Sequence, residues 1–409
     1  YSTWWNGGLR TAPYFHNMIG LLTETIGSPT PEKIPFVPAM SLPHGDDPYP
    51  IAPQEWHFKQ SIDYEVTANY AVLDLASRQK DEFLYDIYEM GRNSIDKGSH
   101  DSWTVSGSRI AAVDSAAAAD KTARPAPPLR GAAVDDRYYT SILHDPSRRD
   151  PRGYIISANQ PDFLTAVKFV NTLRYAGVDV ERATAAFAVN GKRYPAGSFV
   201  VKTAQAFRPY VLDMFEPQDY PNDFAYPGAP PTRPYDIAGY TLAYQMGVQF
   251  DRVLDGFNGP FEKVTGLATP PAGTVADAGG AAGFLFSHAE NDAFIVVNRL
   301  LKNHADVYWL KTPVTSHGKT YPAGTFYVTA GTTAMPAIQN AAKELGVSFD
   351  GTASRPGVDA TKLRAERIAL WDTYGGSIPS GQIRWLLEQF EFPYTLVYPR
   401  DIDSAALQG

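Results

Sequence analysis

Gly191-Lys192-Arg193-Tyr194-Pro195-Ala196-Gly197-Ser198-Phe199-Val200-Val201 returns as Gly318-Lys319-Thr320-Tyr321-Pro322-Ala323-Gly324-Thr325-Phe326-Tyr327-Val328, 127 positions further along the chain. The same shift carries Asn171 to Asn298, Leu173 to Leu300, Asp179 to Asp306 and Val180 to Val307. One common offset over a stretch of this length marks an internal duplication. Each copy reads as strand, helix, strand, Tyr-Pro-Ala-Gly turn and strand, a βα unit closed by a hairpin. Pro presets φ and Gly supplies a positive φ, so the shared tetrapeptide is read first as turn chemistry. Its tyrosine leaves a second reading, a ligand-binding hairpin. The copies fall at about 154–216 and 281–345, inside an α/β repeat region spanning 136–365. Between them, 208–271 is rich in Pro, Gly and aromatic residues and is expected to be mostly loop.

Upstream, Met18-Ile19-Gly20-Leu21-Leu22-Thr23-Glu24 is an apolar run closed by Gly27-Ser28-Pro29, which suits a buried strand. The proline-dense stretch 29–53 is expected to be an extended surface loop. From about 60 to 95 the apolar spacing turns helical, with Ile62, Val66, Tyr70 and Leu73, then Phe83, Leu84, Ile87 and Tyr88; one long amphipathic helix or two with a break is expected. Residues 1–110 therefore form one domain piece, and the Ala/Pro-rich segment 111–135 reads as a linker. Downstream, 366–409 holds a strand at Arg367–Asp372, a loop, a helix through Gln382–Phe390 and a strand near Tyr394–Tyr398. That order is the start of a doubly wound α/β domain.

The chain has 409 residues, 44% hydrophobic and 20% charged, enough for a sizeable packed core and against wholesale disorder. A net charge of −8 without a compensating Lys/Arg cluster argues against a nucleic-acid partner. Cysteine is absent, which excludes a disulfide framework, a thiolate zinc site and a cysteine nucleophile. No apolar run approaches the ~20 residues that span a bilayer. Tyr1-Ser2-Thr3-Trp4-Trp5 reads like the middle of a folded domain rather than its start.

The stretch Tyr1 to Glu24, with Trp4-Trp5-Asn6-Gly7-Gly8 near its start and Leu21-Leu22-Thr23-Glu24 at its end, resembles the end of the catalytic domain of carboxypeptidase A-like zinc peptidases. It is most similar to a bacterial branch of exported proteins with C-terminal α/β extensions. The fold class this implies is α/β: the end of a zinc-carboxypeptidase domain, two duplicated βα-hairpin units, then the start of a glutamine amidotransferase-like domain. In that family a tyrosine precedes a Gly-Gly loop and helix, and a strand then ends in the catalytic glutamate. Gly7-Gly8 and Glu24 fit that layout; Tyr1 falls at the tyrosine position with one residue inserted. The resemblance implies a metallocarboxypeptidase that hydrolyses C-terminal peptide bonds, with a peptide substrate, Glu24 as general base and Tyr1 as a substrate-side donor. It implies periplasmic or secreted localisation, and it expects Glu24 to line a groove rather than stand in bulk solvent.

The family holds zinc through an H-x-x-E pair and a later histidine, all upstream of the tyrosine. The eight histidines here, at 16, 44, 57, 100, 144, 288, 304 and 317, include only His44 with an acid three positions on, in His44-Gly45-Asp46-Asp47 within the proline-rich loop. That reads as a solvated turn, and His16 as a packed loop histidine. Catalytic zinc needs three protein ligands. Zinc is therefore expected in the full-length protein and none on this chain alone, so an upstream catalytic segment, in the same or a separate chain, is the implied partner and the chain by itself is expected to be inactive. Arg10 reads as a surface or loop-bracing residue. Gly375-Gly376-Ser377 stands where an anion site opens a helix, without P-loop or full G-x-G-x-x-G spacing. Amidotransferase chemistry in the terminal unit is excluded by the missing cysteine. The alternative to a peptidase is a non-catalytic relative or an accessory module binding peptide, glycan or a partner chain.

Overall fold

The computed structural model describes residues 8, 10–45, 47–120, 133–218, 224–232 and 241–404. The chain is a mixed α/β protein with several separate sheets, and it divides into two compact units: Tyr1–Asp150 with Thr203–Tyr240, and Pro151–Lys202 with Thr241–Gly409.

In the first unit, two short strands, β1 (Glu32–Ile34) and β2 (Gln54–Trp56), pair antiparallel and lead into helices α1 (Phe58–Arg78) and α2 (Lys80–Ser99). Helix α1 opens on a capping box in which Gln60 accepts from the His57 backbone N–H at 2.9 Å. The helical spacing of 60–95 thus resolves into two helices, broken at Gln79, whose ψ of 19° leaves the helical region. The buried face of α2 is a row of small residues, Gly91, Ser94 and Gly98. A Cβ on Gly98 would lie 2.3 Å from the Thr203 carbonyl oxygen, so the 203–206 backbone crosses α2 where only glycine fits.

The linker expected at 111–135 is helical through Ala119. Helix α3 (Gly107–Ala119) starts on Ser106, whose Oγ accepts from the Arg109 backbone N–H at 3.4 Å. Alanine is the best helix former, so an Ala-rich run behind an N-cap propagates rather than loosens. Residues 121–132 lie outside the described part.

The second unit contains the duplication. Its first copy runs β3 (Gly153–Ile156), α4 (Phe163–Tyr175), β4 (Glu181–Ala183), β5 (Phe187–Val189), β6 (Lys192–Tyr194) and β7 (Phe199–Lys202). Helix α5 (Arg208–Phe215), which follows, belongs to the first unit; α6 (Leu242–Gln245), β8 (Asp251–Val253) and β9 (Phe261–Lys263) return to the second. The second copy runs β10 (Val275–Ala276), β11 (Gly283–Phe286), α7 (Ala293–Lys302), β12 (Val307–Leu310), β13 (Val314–Ser316), β14 (Lys319–Tyr321), β15 (Phe326–Thr329), α8 (Ala334–Leu345), β16 (Phe349–Thr352) and β17 (Ala360–Lys362). The sheet orders β8-β3-β7-β4-β9 and β16-β11-β15-β12-β17 match strand for strand, with β10 added parallel on β16.

The described part of 208–271 is mostly loop, as expected, yet it also supplies two strands of the first sheet. Asp251 pairs with Ile155, and Asp350 pairs with the equivalent Leu285. Lys263 pairs with Glu181, and Lys362 with Tyr308. These strands are related by a shift of 99 positions instead of 127, because the connection is shorter in the second copy. Three-residue strands leave little local pattern; they exist because β3 and β4 offer them hydrogen-bonding edges.

The shared residues are now accounted for by contacts made twice. Lys192 Nζ reaches the Asp251 carboxylate at 2.7 Å, and Tyr194 donates to it as well. Lys319 Nζ and Tyr321 Oη each reach Asp350 Oδ2 at 2.7 Å. Burial first, then the neighbouring aspartate, raises both phenols well above the ordinary tyrosine range. Asp179 pairs with Lys263 at 2.7 Å, and Asp306 with Lys362 at 2.5 Å. Burial alone would raise the Asp350 carboxyl, but hydrogen bonds from Lys319 and Tyr321 outweigh it and hold the group below the usual aspartate value. A group depressed in the folded state stabilises above its unfolded pKa and stops doing so as pH falls through the folded one. Asp350→Asn is accordingly expected to lower stability at pH 7, with the gap to wild type closing below about pH 4; urea midpoints measured at both pH values check this.

Alternation places Ile155 and Val200 on one face of the first sheet, where Tyr194 of the β5–β6 hairpin packs, and Leu285 and Tyr327 on the same face of the second, where Tyr321 of the β13–β14 hairpin packs. The opposite face of the second sheet, with Phe284, Phe286, Phe326 and Val328, packs against α7 and α8, and Leu164 of α4 joins that core. The two copies thus share apolar packing. The unit ends in β18 (Ile368–Trp371), α9 (Ile378–Gln389), β19 (Tyr394–Val397) and α10 (Pro399–Asp403), with β18 and β19 parallel. This is the β-α-β order expected at 366–409.

Candidate functional site

The segment around Glu24 is fixed at both ends. A 3-10 turn, Ala12–His16, closes on Asn17 in the left-handed region at φ 59°, and Asn17 Nδ2 donates to the Ala206 carbonyl at 3.0 Å. His16 sits with its ring 4.7 Å from that of Phe207 and 4.6 Å from that of Tyr210, with Nδ1 2.6 Å from the Ala12 carbonyl; it is the packed loop histidine expected. Arg10 is half-buried where Gly20 crosses it, and a Cβ on Gly20 would fall 1.9 Å from the Arg10 carbonyl oxygen. Downstream, Ser61 Oγ donates to the Ile26 carbonyl at 2.5 Å and accepts from Trp56 Nε1 at 2.8 Å.

Between these anchors the run expected to form a buried strand belongs to no strand among the described residues and lies uncovered; its Met18 N–H donates to the Pro13 carbonyl at 3.0 Å. Ile19 is 68% exposed and Leu21 62%; Met18, Leu22 and Glu24 are exposed too. A strand needs a neighbour to take its alternate N–H and C=O groups, and no described strand lies beside this one. Thr23 donates to Glu65 Oε2 of α1 at 2.6 Å. Glu24 itself is exposed and makes no hydrogen bond or ion pair among the described residues. Tyr1 and Gly7 lie outside the described residues. Helices α1 and α2 carry further exposed apolar side chains, Ile62, Val66, Tyr70 and Leu73, then Leu84 and Tyr88.

The remaining candidates resolve into structural roles. The Tyr-Pro-Ala-Gly stretches are turns: Gly197 and Gly324 have φ of 86° and 91°, and their N–H groups donate to Ala183 and Leu310 at 2.8 and 2.7 Å. Ser198 and Thr325 each donate to the turn's proline carbonyl at 2.8 Å. His44 and Asp47 exchange backbone hydrogen bonds of 3.0 and 3.1 Å, a tight turn. At the start of α9, Gly375 and Gly376 take φ of 93° and 83°, and Ser377 caps the helix. Asp372 lies close by and accepts from the Thr373 N–H at 2.8 Å; against the opposing effect of desolvation, that bond and the neighbouring Ser380 and Ser377 keep its carboxyl below the usual range.

Sequence reasoning missed one cluster. In the loop after β11, Glu290 approaches Asp162 and Asp292, the residues that precede α4 and α7. Burial first, then these two carboxylates, pushes Glu290 up to about 7. The available signal was the replacement of Gln160 in the first copy by Glu290 in the second.

Comparison with protein-family models, with curated proteins and with solved structures returned no match to this chain. Among the described residues no three His, Asp or Glu side chains come together as a metal would require, and no helix is long and apolar enough to cross a membrane.

Proposed function

We propose that this chain is the distal part of a metallocarboxypeptidase that hydrolyses C-terminal peptide bonds, with Glu24 as general base. The observation that carries the reading is the sequence pattern Tyr1 to Glu24 together with the state of its apolar run. Four large apolar side chains, Met18, Ile19, Leu21 and Leu22, stand exposed on a segment held at both ends, shortly before a carboxylate with no partner among the described residues. Apolar residues in a contiguous uncovered run mark a surface that another body covers. Helices α1 and α2 carry further exposed apolar side chains. The proposal gives the covering role to the upstream catalytic segment, which would supply the sheet edge beside residues 18–24.

The described residues do not fit zinc, and the chemistry assigned to this chain is a proton transfer alone. Glu24 accepts a proton from the attacking water and delivers it to the departing amine. A peptide substrate, zinc in the full-length protein and export to the periplasm or exterior belong to the same proposal. So do the finer architecture, the end of a carboxypeptidase domain before the repeats, and an amidotransferase-like beginning after them. The accessory-module reading draws no support from the duplicated hairpins, whose Lys and Tyr side chains are engaged with Asp251 and Asp350.

The reading is tested by the coding sequence upstream of Tyr1. An H-x-x-E pair followed by a later histidine is expected there; a frame without them removes the peptidase assignment.

A further inference from the structure

The two copies meet through the loops that precede their first helices. The Asn291 backbone N–H donates to Asp162 Oδ2 at 3.0 Å, Asn291 Nδ2 donates to Thr165 Oγ1 at 3.0 Å, and Lys168 of α4 pairs with Asp292 before α7. Asp162 also caps its own helix, accepting from the Thr165 N–H at 2.9 Å. Glu290 sits inside this junction, its Oε2 buried with no hydrogen-bond partner among the described residues.

The duplication provides an internal control. Glu290 lies 130 positions beyond Gln160, the shift that also relates Asp292 to Asp162 and, by strand register, Leu285 to Ile155. Gln160 is the neutral counterpart of a protonated glutamic acid. Its amide is satisfied: Nε2 donates to the Ser157 carbonyl at 2.8 Å, and Oε1 accepts from the Gln249 N–H at 3.0 Å. The first copy therefore keeps permanently uncharged the position that the second copy fills with an ionisable group. An ionised Glu290 meets the negative charges of Asp162 and Asp292, and the cation near enough to oppose them, Lys319, is already bound to Asp350. Like charges gathered at a half-buried site disfavour the ionised form.

We propose that the 287–292 loop is a proton-operated latch between the two copies, closed while Glu290 is neutral and loosened when it ionises beside Asp162 and Asp292. The sign follows from linkage. An acid raised in the folded state costs nothing below its unfolded pKa near 4.5; the cost grows as pH climbs through about 7 and is constant above it. His288, in the same loop, and Lys168, on α4, are the other titratable groups of the junction.

The test uses this chain and Glu290→Gln. The variant is expected to melt roughly 3 °C or more above wild type at pH 8 and level with it at pH 4. No gain at pH 8, or an equal gain at both pH values, overturns the latch. Amide hydrogen exchange in the wild type gives a second measurement that needs no variant. Protection of the Asn291 N–H, corrected for intrinsic rate, is expected to fall roughly tenfold between pH 5 and pH 8; protection unchanged across that range also overturns it.

Discussion

Glu24→Gln in the full-length protein is expected to lower kcat for hydrolysis of a C-terminal peptide bond by about 10²–10⁴-fold, the usual worth of a positioned general base. Glutamine keeps the shape of the side chain and loses the proton acceptor. In this chain by itself, where Glu24 is exposed and makes no hydrogen bond or ion pair among the described residues, the substitution should change stability by no more than ~0.5 kcal/mol. The melting temperature of the full-length variant, expected at the wild-type value, separates lost turnover from unfolding. Zinc content by metal analysis is expected to stay at the wild-type level. Full turnover in the variant would take Glu24 out of the reaction, whatever the upstream sequence contains.

The second large effect concerns the first unit's buried ion pair. Arg208, 6% exposed, donates to Asp150 Oδ2 at 2.7 Å and to Ser102 Oγ at 3.0 Å, and Asp150 is 7% exposed. Asp150 also accepts from the Thr104 N–H at 3.0 Å and from Thr104 Oγ1 at 2.8 Å. The network joins the start of α5 to the segment after α2. Arg208→Met leaves a buried carboxylate without its cation, and the expected cost is ~3–5 kcal/mol. Asp150→Asn combined with Arg208→Met removes both charges and should recover a large part of that loss, because the desolvation penalty disappears with them. Urea unfolding followed by far-UV circular dichroism measures both. A loss below ~1 kcal/mol in the single variant would mean that water reaches the pair.

Much of the second unit was legible in the linear pattern. The 127-residue shift located both βα-hairpin copies, and Pro followed by Ala-Gly specified turns whose glycines do take positive φ. The apolar spacing of 60–95 gave the helices, and 366–409 gave the β-α-β order. These features follow from rules acting within a few residues: turn dihedrals, capping, and the 3.6-residue and two-residue periods. The duplicated helices also show what such rules tolerate. Helix α7 is three residues shorter than α4, 10 against 13, which moves the shift from 130 to 127 between Asp292 and Asn298. Three residues approximate one turn, so Asn298 keeps the face that Asn171 has.

The candidate site was far less legible. Among the described residues no strand forms at 18–24, since strand formation is decided by a neighbouring edge and burial by whatever covers the side chain. Asp251, Asp350, Lys263 and Lys362 complete the duplicated clamps, yet they lie on a different shift from the motif they serve, so no fixed spacing could connect them. Gly91, Ser94 and Gly98 carry no apolar signal, yet they form the buried face of α2. Sequence alone determined the repeat, its turns and the helical segments, because each is specified by bonds between near neighbours. Only the tertiary structure decided which strands complete the sheets, which carboxylates meet across the two copies and which apolar faces remain bare, because each of those depends on groups far apart in the chain being brought together.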